Sequence, residues 1–359
     1  MTELLVGTKK GLFVLEGEPG AGFAVTARAF AGEPVEYAMR DPRTGRLLAS
    51  LTSPFYGPKI YVADEGADLS ADWRQAAGVE LPDGGDTALA RIWTIVPGEA
   101  DGTLYAGGDP GVLFVSRDGG ERWELVHSLW EHPTRPRWQA GGGGLCLHSI
   151  VPWPGEPDRL ALAMSAVGIW LTDDGGETWR HGNQGLRPRY LPEDAPQDTF
   201  DLCVHNVHRA PQRPERLFLQ FHGGVYRSDD AGESWTDIGA GLPSDFGFPL
   251  VIDPADPDSA YVIPLKADMD RVTPEGHVRV YETRDAGATW APRGDGLPQQ
   301  DAYLTVLRQA FAQAREGEAL ELYFGATSGD VFGSGDAGAT WATVADHLPP
   351  VYSVRVGRA

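Results

Sequence analysis

Two Cys-x-His pairs are the residues of this sequence best suited to chemistry. Cys146 with His148, and Cys203 with His205, occupy equivalent positions in two matching apolar segments. Residues two apart on a strand point to the same face, so each thiol should lie beside its imidazole. A neutral imidazole can ligate a divalent transition metal or act as a general base near neutral pH.

Two further histidines lie close to the second pair. His208 follows His205 by three residues, and His222 precedes two glycines. We predict catalytic roles for His148, His205 and His208, or a divalent metal site formed by His148, His205 and His222. The competing hypothesis is that the imidazoles hydrogen-bond to neighbouring strands and fill the interior. The spacing leaves these hypotheses open.

Four arginines, Arg40, Arg91, Arg308 and Arg355, lie on or just beyond apolar segments of the same kind. Because guanidinium binds carboxylate or phosphate through two parallel hydrogen bonds, their convergence would form an anion site. Trp93 aligns with the two paired histidines. The predicted substrate-binding residues are Arg40, Arg91, Trp93, Trp138, Arg189, Tyr190, His222, Arg308 and Arg355.

These residues are set in a repeat whose marker is the motif Ser/Thr-x-Asp-x-Gly-x-x-Trp, which occurs five times at intervals of roughly 50 residues. A short apolar strand precedes each copy, and a polar segment follows its Trp. Each repeat is therefore predicted to hold about four strands, as in one propeller blade. The Asp and Trp residues of the five copies are Asp118 and Trp123, Asp174 and Trp179, Asp230 and Trp235, Asp285 and Trp290, and Asp336 and Trp341.

The five motifs resemble the Asp-box, or BNR repeat, of sialidases, sortilin-type receptors and photosystem II assembly factors. The resemblance spans roughly residues 90 to 345. It implies a motif on the hairpin between the third and fourth strands of a blade, where the Asp accepts turn N–H groups and the Trp packs between blades. These ten residues are therefore expected to be structural.

Two features of sialidases are missing. Their Phe/Tyr-Arg-Ile-Pro motif is absent, and Ala90-Arg91-Ile92-Trp93 is only a faint echo of it. Their Tyr/Glu nucleophile pair has no clear counterpart, Glu36 beside Tyr37 being the nearest candidate. The resemblance is therefore specific for the fold and weak for the activity.

We predict a single all-β domain, a seven-bladed β-propeller whose N- and C-terminal strands share blade 1 and close the ring. Six or eight blades are the alternative counts, and sialidases have six. The predicted blades are 351–357 with 3–30, 35–80, 90–127, 145–182, 202–238, 248–293 and 303–344.

Long connections before the fourth and fifth blades favour a ligand site at one mouth of the central channel. They are Ser128–Gly144, which carries Trp138, and His181–Phe200. Long loops in compact folds are more often functional than idle. Asp268–Arg271 lengthens a loop of the sixth blade and could touch a ligand or a partner, although a solvated insertion is the default expectation.

Charge and composition exclude several functions. The chain has 359 residues and 30 Lys and Arg against 51 Asp and Glu, a formal net charge of −21, so neither nucleic acid nor an anionic membrane is an expected partner. Two cysteines make no disulfide framework and no CxxC zinc motif. The first residues lack a basic stretch followed by an apolar core, which predicts a cytoplasmic protein.

Two classes of function remain. The preferred one is an enzyme, a hydrolase, lyase or isomerase, acting on a small anionic or carbohydrate-derived molecule at the channel mouth. A glycoside hydrolase-like or metal-assisted reaction fits these residues, and a divalent metal is the only cofactor considered. The alternative is a non-catalytic propeller that binds a protein partner or a glycan as an assembly module.

Overall fold

The computed structural model describes residues 1–82, 87–188, 192, 194 and 200–359. Within these ranges the strands form seven four-stranded antiparallel sheets, arranged as the blades of a propeller around a common axis. The helices are short: an α-helix at His127–Trp130 and 3-10 turns at Arg135–Arg137 and Pro274–Gly276. None of the helices in the described ranges has the length and apolar character needed to cross a membrane.

Each blade is a meander that starts with its innermost strand. Blade 1 takes that strand from the C-terminus and the other three from the N-terminus. The strands of blades 1 to 4 are Val351–Arg358, Thr2–Thr8, Gly11–Glu18 and Gly22–Ala29; Val35–Arg40, Leu47–Ser53, Gly57–Ala63 and Arg74–Gln75; Arg91–Pro97, Leu104–Asp109, Val112–Ser116 and Glu124–Leu125; and Cys146–Trp153, Glu156–Ser165, Gly168–Thr172 and Arg180–His181. Those of blades 5 to 7 are Val204–Arg209, Leu217–Phe221, Gly224–Ser228 and Thr236–Asp237; Phe246–Asp253, Asp256–Leu265, Val280–Thr283 and Ala291–Arg293; and Phe311–Glu316, Ala319–Gly325, Val331–Ser334 and Ala342–Ala345.

The ring is closed by pairing of the two chain ends. Val351–Arg358 runs antiparallel to Thr2–Thr8, with Val354 opposite Val6. Val351, Val354 and Val6 are fully buried in the largest apolar cluster of the protein, which also spans blades 6 and 7. The predicted seven-bladed propeller with terminal closure is therefore confirmed.

The repeated hairpin motif, Ser/Thr-x-Asp-x-Gly-x-x-Trp, lies between the third and fourth strands and saturates its own turn with hydrogen bonds. In blade 4, Asp174 Oδ1 accepts the Thr178 N–H at 3.0 Å, and Asp174 Oδ2 accepts the Thr178 hydroxyl at 2.5 Å. The Gly176 N–H is donated to the Thr172 hydroxyl at 3.0 Å. The donors from Thr178 lower the pKa of Asp174 to about 2. The carboxylate is thus occupied in holding the turn.

The tryptophans of the hairpin motif join neighbouring blades. The indole N–H of Trp235 in blade 5 is donated to the Gly182 carbonyl of blade 4 at 2.8 Å. That of Trp290 in blade 6 is donated to the Ile238 carbonyl of blade 5 at 2.7 Å. Gly185, with φ +88, passes so close to Trp235 that a Cβ there would collide with its carbonyl oxygen. Contacts between these blades thus use both the indole N–H and the backbone of the motif tryptophans.

A β-bulge recurs near the start of the innermost strand in six blades. One extra residue, or in blade 6 a two-residue step against one, is left without a register partner. A bulge re-aims the side chain that it carries. Together with the equivalent residue of blade 7, these positions form what we call the channel ring: Tyr352, Glu36, Trp93, His148, His205, Phe248 and Arg308.

Candidate ligand site in the central channel

A polar plug divides the channel into two chambers. The Gln309 side-chain amide donates to the His148 carbonyl at 2.8 Å, and that of Asn206 donates to the Arg308 carbonyl at 3.1 Å. Ser149 Oγ donates to Asn206 Oδ1 at 3.3 Å. These bonds tie blades 4, 5 and 7 together across the axis.

The upper chamber is a cavity of about 270 Å³ on the side of the plug that carries the connections between blades. The Gly142 and Gly143 backbone from the long loop before blade 4 forms part of its wall. Six of the seven channel-ring side chains line it, five of them turned away from the strand faces by their bulges and Arg308 from the segment before blade 7. Its charged, thiol and imidazole groups are Glu36, Arg91, Cys203, His205, His222, Asp268, Arg271 and Arg308.

Arg308 is the least satisfied charged group of the chamber. Its guanidinium lies 5.1 Å from the centre of the Trp93 ring and 5.8 Å from that of Phe248. Its hydrogen bond to Ser165 Oγ is long, 3.5 Å, and its Nε is buried without a partner. Among the described residues no carboxylate pairs with it. Burial lowers the pKa of Arg308 below its ordinary value, and an unpaired buried cation is unfavourable, so an anionic ligand would be strongly stabilised here.

Arg91 and Glu36 lie side by side on the opposite wall. Arg91 Nε lies 3.4 Å from Glu36 Oε1, and Arg91 is 39% exposed whereas Glu36 is 5% exposed. The Arg91 guanidinium also stacks at 4.6 Å from the Trp93 ring centre. Burial raises the pKa of Glu36, and Arg91 opposes that rise. A carboxyl whose pKa is raised is suited to donate a proton.

Cys203, His205 and His222 form a cluster on the blade 5 wall, with their donor atoms within 4.8 Å of one another. His205 Nδ1 lies 2.6 Å from the Gly247 carbonyl. Since a carbonyl only accepts, Nδ1 carries the proton and Nε2 keeps its lone pair. Burial, and next the charge of Arg308, hold the pKa of His205 well below its ordinary value, so the ring is neutral.

A loop of blade 6 completes the chamber. Arg271 pairs with Asp268 at 2.7 Å and lies 5.3 Å from the centre of the Phe248 ring. The Asp268 carboxylate is 3.8 Å from His222 Nε2. Arg271 and Asp268 are 46% and 41% exposed, so this loop is solvated, and both side chains also line the chamber, where they could touch a ligand.

Two of the predicted catalytic histidines lie away from the upper chamber. His148 is fully buried, and its Nε2 donates to the Val204 carbonyl at 2.8 Å while Nδ1 lies 3.0 Å from Ser149 Oγ. It packs between blades, as the channel-filling hypothesis has it, and shares no metal cluster with His205 and His222. His208 lies on the lower chamber, a cavity of about 400 Å³ beyond the plug.

The four predicted anion-binding arginines do not converge on one mouth. Arg91 and Arg308 lie in the upper chamber, whereas Arg355 reaches the lower chamber, where its Nε donates to the Tyr37 hydroxyl at 2.9 Å. Arg40 makes two hydrogen bonds, 2.8 and 2.7 Å, to the carboxylate of Glu3. Arg40 and Arg355 are thus hydrogen-bonded to other side chains of the protein. They do not join Arg91 and Arg308 because their side chains point away from the upper chamber.

The structure also disagrees with the roles considered for the Glu36 and Tyr37 pair and for Trp138. Glu36 and Tyr37 do not form a nucleophile pair, because the bulge sends Glu36 to the upper chamber while Tyr37 lines the lower one. Trp138 is only 8% exposed and packs 5.0 Å from the ring centre of Trp170, so it is no exposed stacking platform. The remaining candidates, Arg189 and Tyr190, lie outside the described residues.

The thiol of Cys146, the blade 4 counterpart of Cys203, is buried and donates to the Gly143 carbonyl at 3.1 Å. Burial raises its pKa to about 12. It is therefore a packing residue rather than a nucleophile.

Chamber residues that the sequence did not identify as a set are Glu36, Phe248, Arg271 and Tyr352. Three of them occupy channel-ring positions. The repeat alignment that placed Trp93 on His148 and His205 carries the needed signal, since the same register in the other blades selects Glu36, Phe248 and Tyr352. Arg271 has no such signal, because its loop is not repeated.

The lowered pKa of His208 should make the stability of the fold sensitive to acid. Burial, then the charge of Arg355, lowers its pKa from 6.5 to about 4. The unfolded chain therefore binds a proton more readily, so this contribution to stability is complete above pH 6.5 and is lost as pH falls towards 4. We expect His208→Gln to remove up to about 3 kcal/mol of the wild-type pH dependence in that window, measured by urea unfolding at several pH values. An equal acid dependence in the variant would contradict this assignment.

No family model matches the chain. An oligoxyloglucan-reducing end-specific xyloglucanase from Emericella nidulans is 29% identical over 269 residues, which cover 65% of this chain and 31% of that protein. The chain thus spans about a third of the length of this curated relative.

Solved structures share the fold. An ancestral GH74 enzyme matches 90% of this chain and 38% of its own at 16% identity and a TM-score of 0.55. A GH74 enzyme of Niastella koreensis matches 97% of this chain and 66% of its own, at 13% identity and a TM-score of 0.53. YCF48 bound to a D1 peptide matches 82% of this chain and 78% of its own, at 15% identity and a TM-score of 0.50. At these identities the likeness concerns the propeller fold, which is found both in GH74 enzymes and in a peptide-bound protein.

Proposed function

We propose that this protein is a hydrolase acting on a small, negatively charged carbohydrate derivative held in the upper chamber. The observation that carries the proposal is Arg308, whose guanidinium has a buried Nε and no acidic partner among the described residues of a strongly acidic protein. A carboxylate or phosphate on the ligand would supply that partner in a site of low dielectric constant. Arg91, 39% exposed, gives a second cationic group facing the same cavity.

The carbohydrate part of the proposal is supported by apolar side chains at the rim and by the sequence relative. Phe55 and Tyr56, 84% and 80% exposed, and Tyr303, 61% exposed, lie outside the chamber lining on loops at the same end of the blades as the upper chamber. Aromatic rings exposed around a polar cavity are suited to stack on sugar rings. The curated relative is named as a xyloglucanase, which favours glycoside hydrolysis over the lyase and isomerase alternatives.

Glu36 is the residue best placed to donate a proton to the leaving group. Hydrolysis adds the hydroxyl of water to the anomeric carbon, breaks the glycosidic bond and delivers a proton to the departing oxygen. Burial raises the pKa of Glu36, so it keeps its proton more readily than an exposed carboxyl. Asp268, paired with Arg271, is the other carboxylate among the described chamber groups.

The size of the chamber restricts the substrate. A cavity of about 270 Å³ is near the lower limit of ligand pockets, which are roughly 300–1,000 Å³. It accepts one or two sugar units rather than a polymer segment. We therefore propose glycoside hydrolysis for this protein, as in the xyloglucanase, but not the same substrate.

The test is a paired panel of acidic and neutral glycosides. Glycosides of uronic acids, sialic acid and sugar phosphates, each with its uncharged counterpart, are assayed for a rise in melting temperature and for release of the reducing sugar. We expect at least one acidic member to bind and to be hydrolysed while its neutral counterpart is not. Preference for neutral sugars, or no binding of any acidic sugar, would overturn the proposal.

A second candidate function is non-catalytic binding. It is favoured by the exposed apolar rim and by the likeness to YCF48, whose solved structure holds a D1 peptide. In the same panel this alternative predicts ligand-induced stabilisation without turnover. We also propose that the repeated hairpin motif is the Asp-box, with a structural role in every copy.

A further inference from the structure

We propose that Cys203, His205 and His222 bind a divalent transition-metal ion, with zinc the best match, on the blade 5 wall of the upper chamber. Their donor atoms lie within 4.8 Å of one another. In a tetrahedral site with bonds of about 2.0–2.3 Å, donors are roughly 3.3–3.8 Å apart. Side-chain rotations that bring the donors about 1 Å closer complete that geometry.

The backbone already holds the three residues side by side. Cys203 and His205 lie at the start of the innermost strand of blade 5, and His222 lies in the turn between the second and third strands of the same blade. The His222 N–H is donated to the Cys203 carbonyl at 3.0 Å. All three ligands thus belong to one blade, so their spacing does not depend on how neighbouring blades pack.

His205 has the outer hydrogen bond that ligating histidines commonly make. Its Nδ1–H is donated to the Gly247 carbonyl at 2.6 Å, which fixes the tautomer and turns the lone pair of Nε2 away from that carbonyl. The side chain is nearly fully buried, with 2% exposed, so the ring is held in one orientation. The bulge at His205 is what brings this nitrogen to the chamber.

The ligand set indicates the kind of ion and its use. One thiolate and two imidazoles suit zinc or a similar borderline ion and do not suit magnesium or calcium. The Asp268 carboxylate, 3.8 Å from His222 Nε2, adds negative charge beside the site. Three protein ligands leave a position open to the chamber, where a bound water would be activated. That use rests on the proposed hydrolase function, whereas metal binding itself does not.

Blade 4 supplies a matched control. Cys146 and His148 occupy the same register as Cys203 and His205. Both ring nitrogens of His148 contact protein oxygens, those of Val204 and Ser149. No third ligand joins this pair among the described residues. Cys146→Ser is therefore expected to leave metal binding unchanged.

The experiment measures metal content by mass spectrometry on full-length protein purified without a histidine tag and then equilibrated with zinc and dialysed. We expect about one equivalent in the wild type and in Cys146→Ser, and loss of most of it in Cys203→Ser and His222→Ala. Cobalt loading should give a thiolate-to-metal charge-transfer band that Cys203→Ser abolishes. Circular dichroism establishes that each variant is folded.

Two results would overturn the proposal: folded wild-type protein that retains no zinc, or folded Cys203→Ser that retains a full equivalent with an unchanged cobalt spectrum. Its failure is distinguishable from failure of the hydrolase function. One equivalent of bound zinc without glycoside turnover leaves the metal site standing and removes the enzyme. Glycoside turnover by folded protein that retains no zinc would remove the metal site and leave the hydrolase function standing.

Discussion

Arg308→Met is expected to lower affinity for an acidic sugar by about 100-fold, because a charge-assisted hydrogen bond to a buried guanidinium contributes about 1.5–3 kcal/mol. The same substitution should leave the melting temperature unchanged or raise it. In the ligand-free protein the guanidinium has a buried Nε without a partner and no ion pair among the described residues, so an apolar side chain of similar length removes an unfavourable charge. Calorimetric binding and thermal unfolding measure the two effects.

Arg40→Met is the control for this prediction and should behave in the opposite way. Arg40 and Glu3 are each 7% exposed and bond at 2.7 Å. Removing the guanidinium leaves a buried carboxylate without its partner, which typically destabilises by about 3–5 kcal/mol. Binding by the folded variant should not change, since this pair lies outside the upper chamber. If Arg308→Met melts lower with unchanged affinity, Arg308 is a packing residue and the anion site is wrong.

Deleting residues 351–359 should abolish the stable native state. The deletion removes the innermost strand of blade 1, exposes the edge of Thr2–Thr8, and takes Val351 and Val354 out of the largest apolar cluster. Burying one Val contributes about 1.5–3 kcal/mol, so losing these two together with a ladder approaches the whole stability of a typical domain, about 5–15 kcal/mol. Circular dichroism and limited proteolysis of the truncated chain provide the measurement.

A synthetic peptide of the deleted strand provides the control. Added in excess, it should restore protease resistance, because strand addition repairs the open edge. Arg358→Ala keeps the ladder and removes only an exposed contact with Glu65, so it should unfold like the wild type. A truncated chain with the native melting temperature would show that the ring does not depend on terminal closure.

The fold could be predicted from the sequence because the motif that identifies it lies within a single hairpin. The hairpin motif repeats with a constant arrangement of Asp, Gly and Trp, and the turn that it builds needs only residues within one hairpin. Terminal closure was predicted as well, because a blade shared by the two chain ends leaves the ring without a free edge. Local hydrogen bonding and the need to cover edges thus determined most of the architecture.

The site was harder to predict because it is assembled at bulges. Strict two-residue alternation treats His148 and His205 alike, yet His148 is tied to the Val204 carbonyl while His205 faces the upper chamber. The same alternation cannot show that the neighbours Glu36 and Tyr37 serve different chambers. Register shifts of this kind depend on pairing across strands, which a single sequence shows only through its repeats.

The channel ring has a consequence for how such a protein changes its chemistry over time. Six of the seven ring residues lie at bulges of their strands, and Arg308 precedes the first strand of blade 7. The apolar cluster between blades 4 and 5 involves other positions. Exchanging one ring side chain therefore alters the cavity while the ladders beside it stay in register. The six ring positions that line the upper chamber, one in each blade except blade 4, can therefore vary separately in charge, aromaticity and capacity to bind a ligand. A new specificity is then reachable by single substitutions, with the scaffold inherited unchanged.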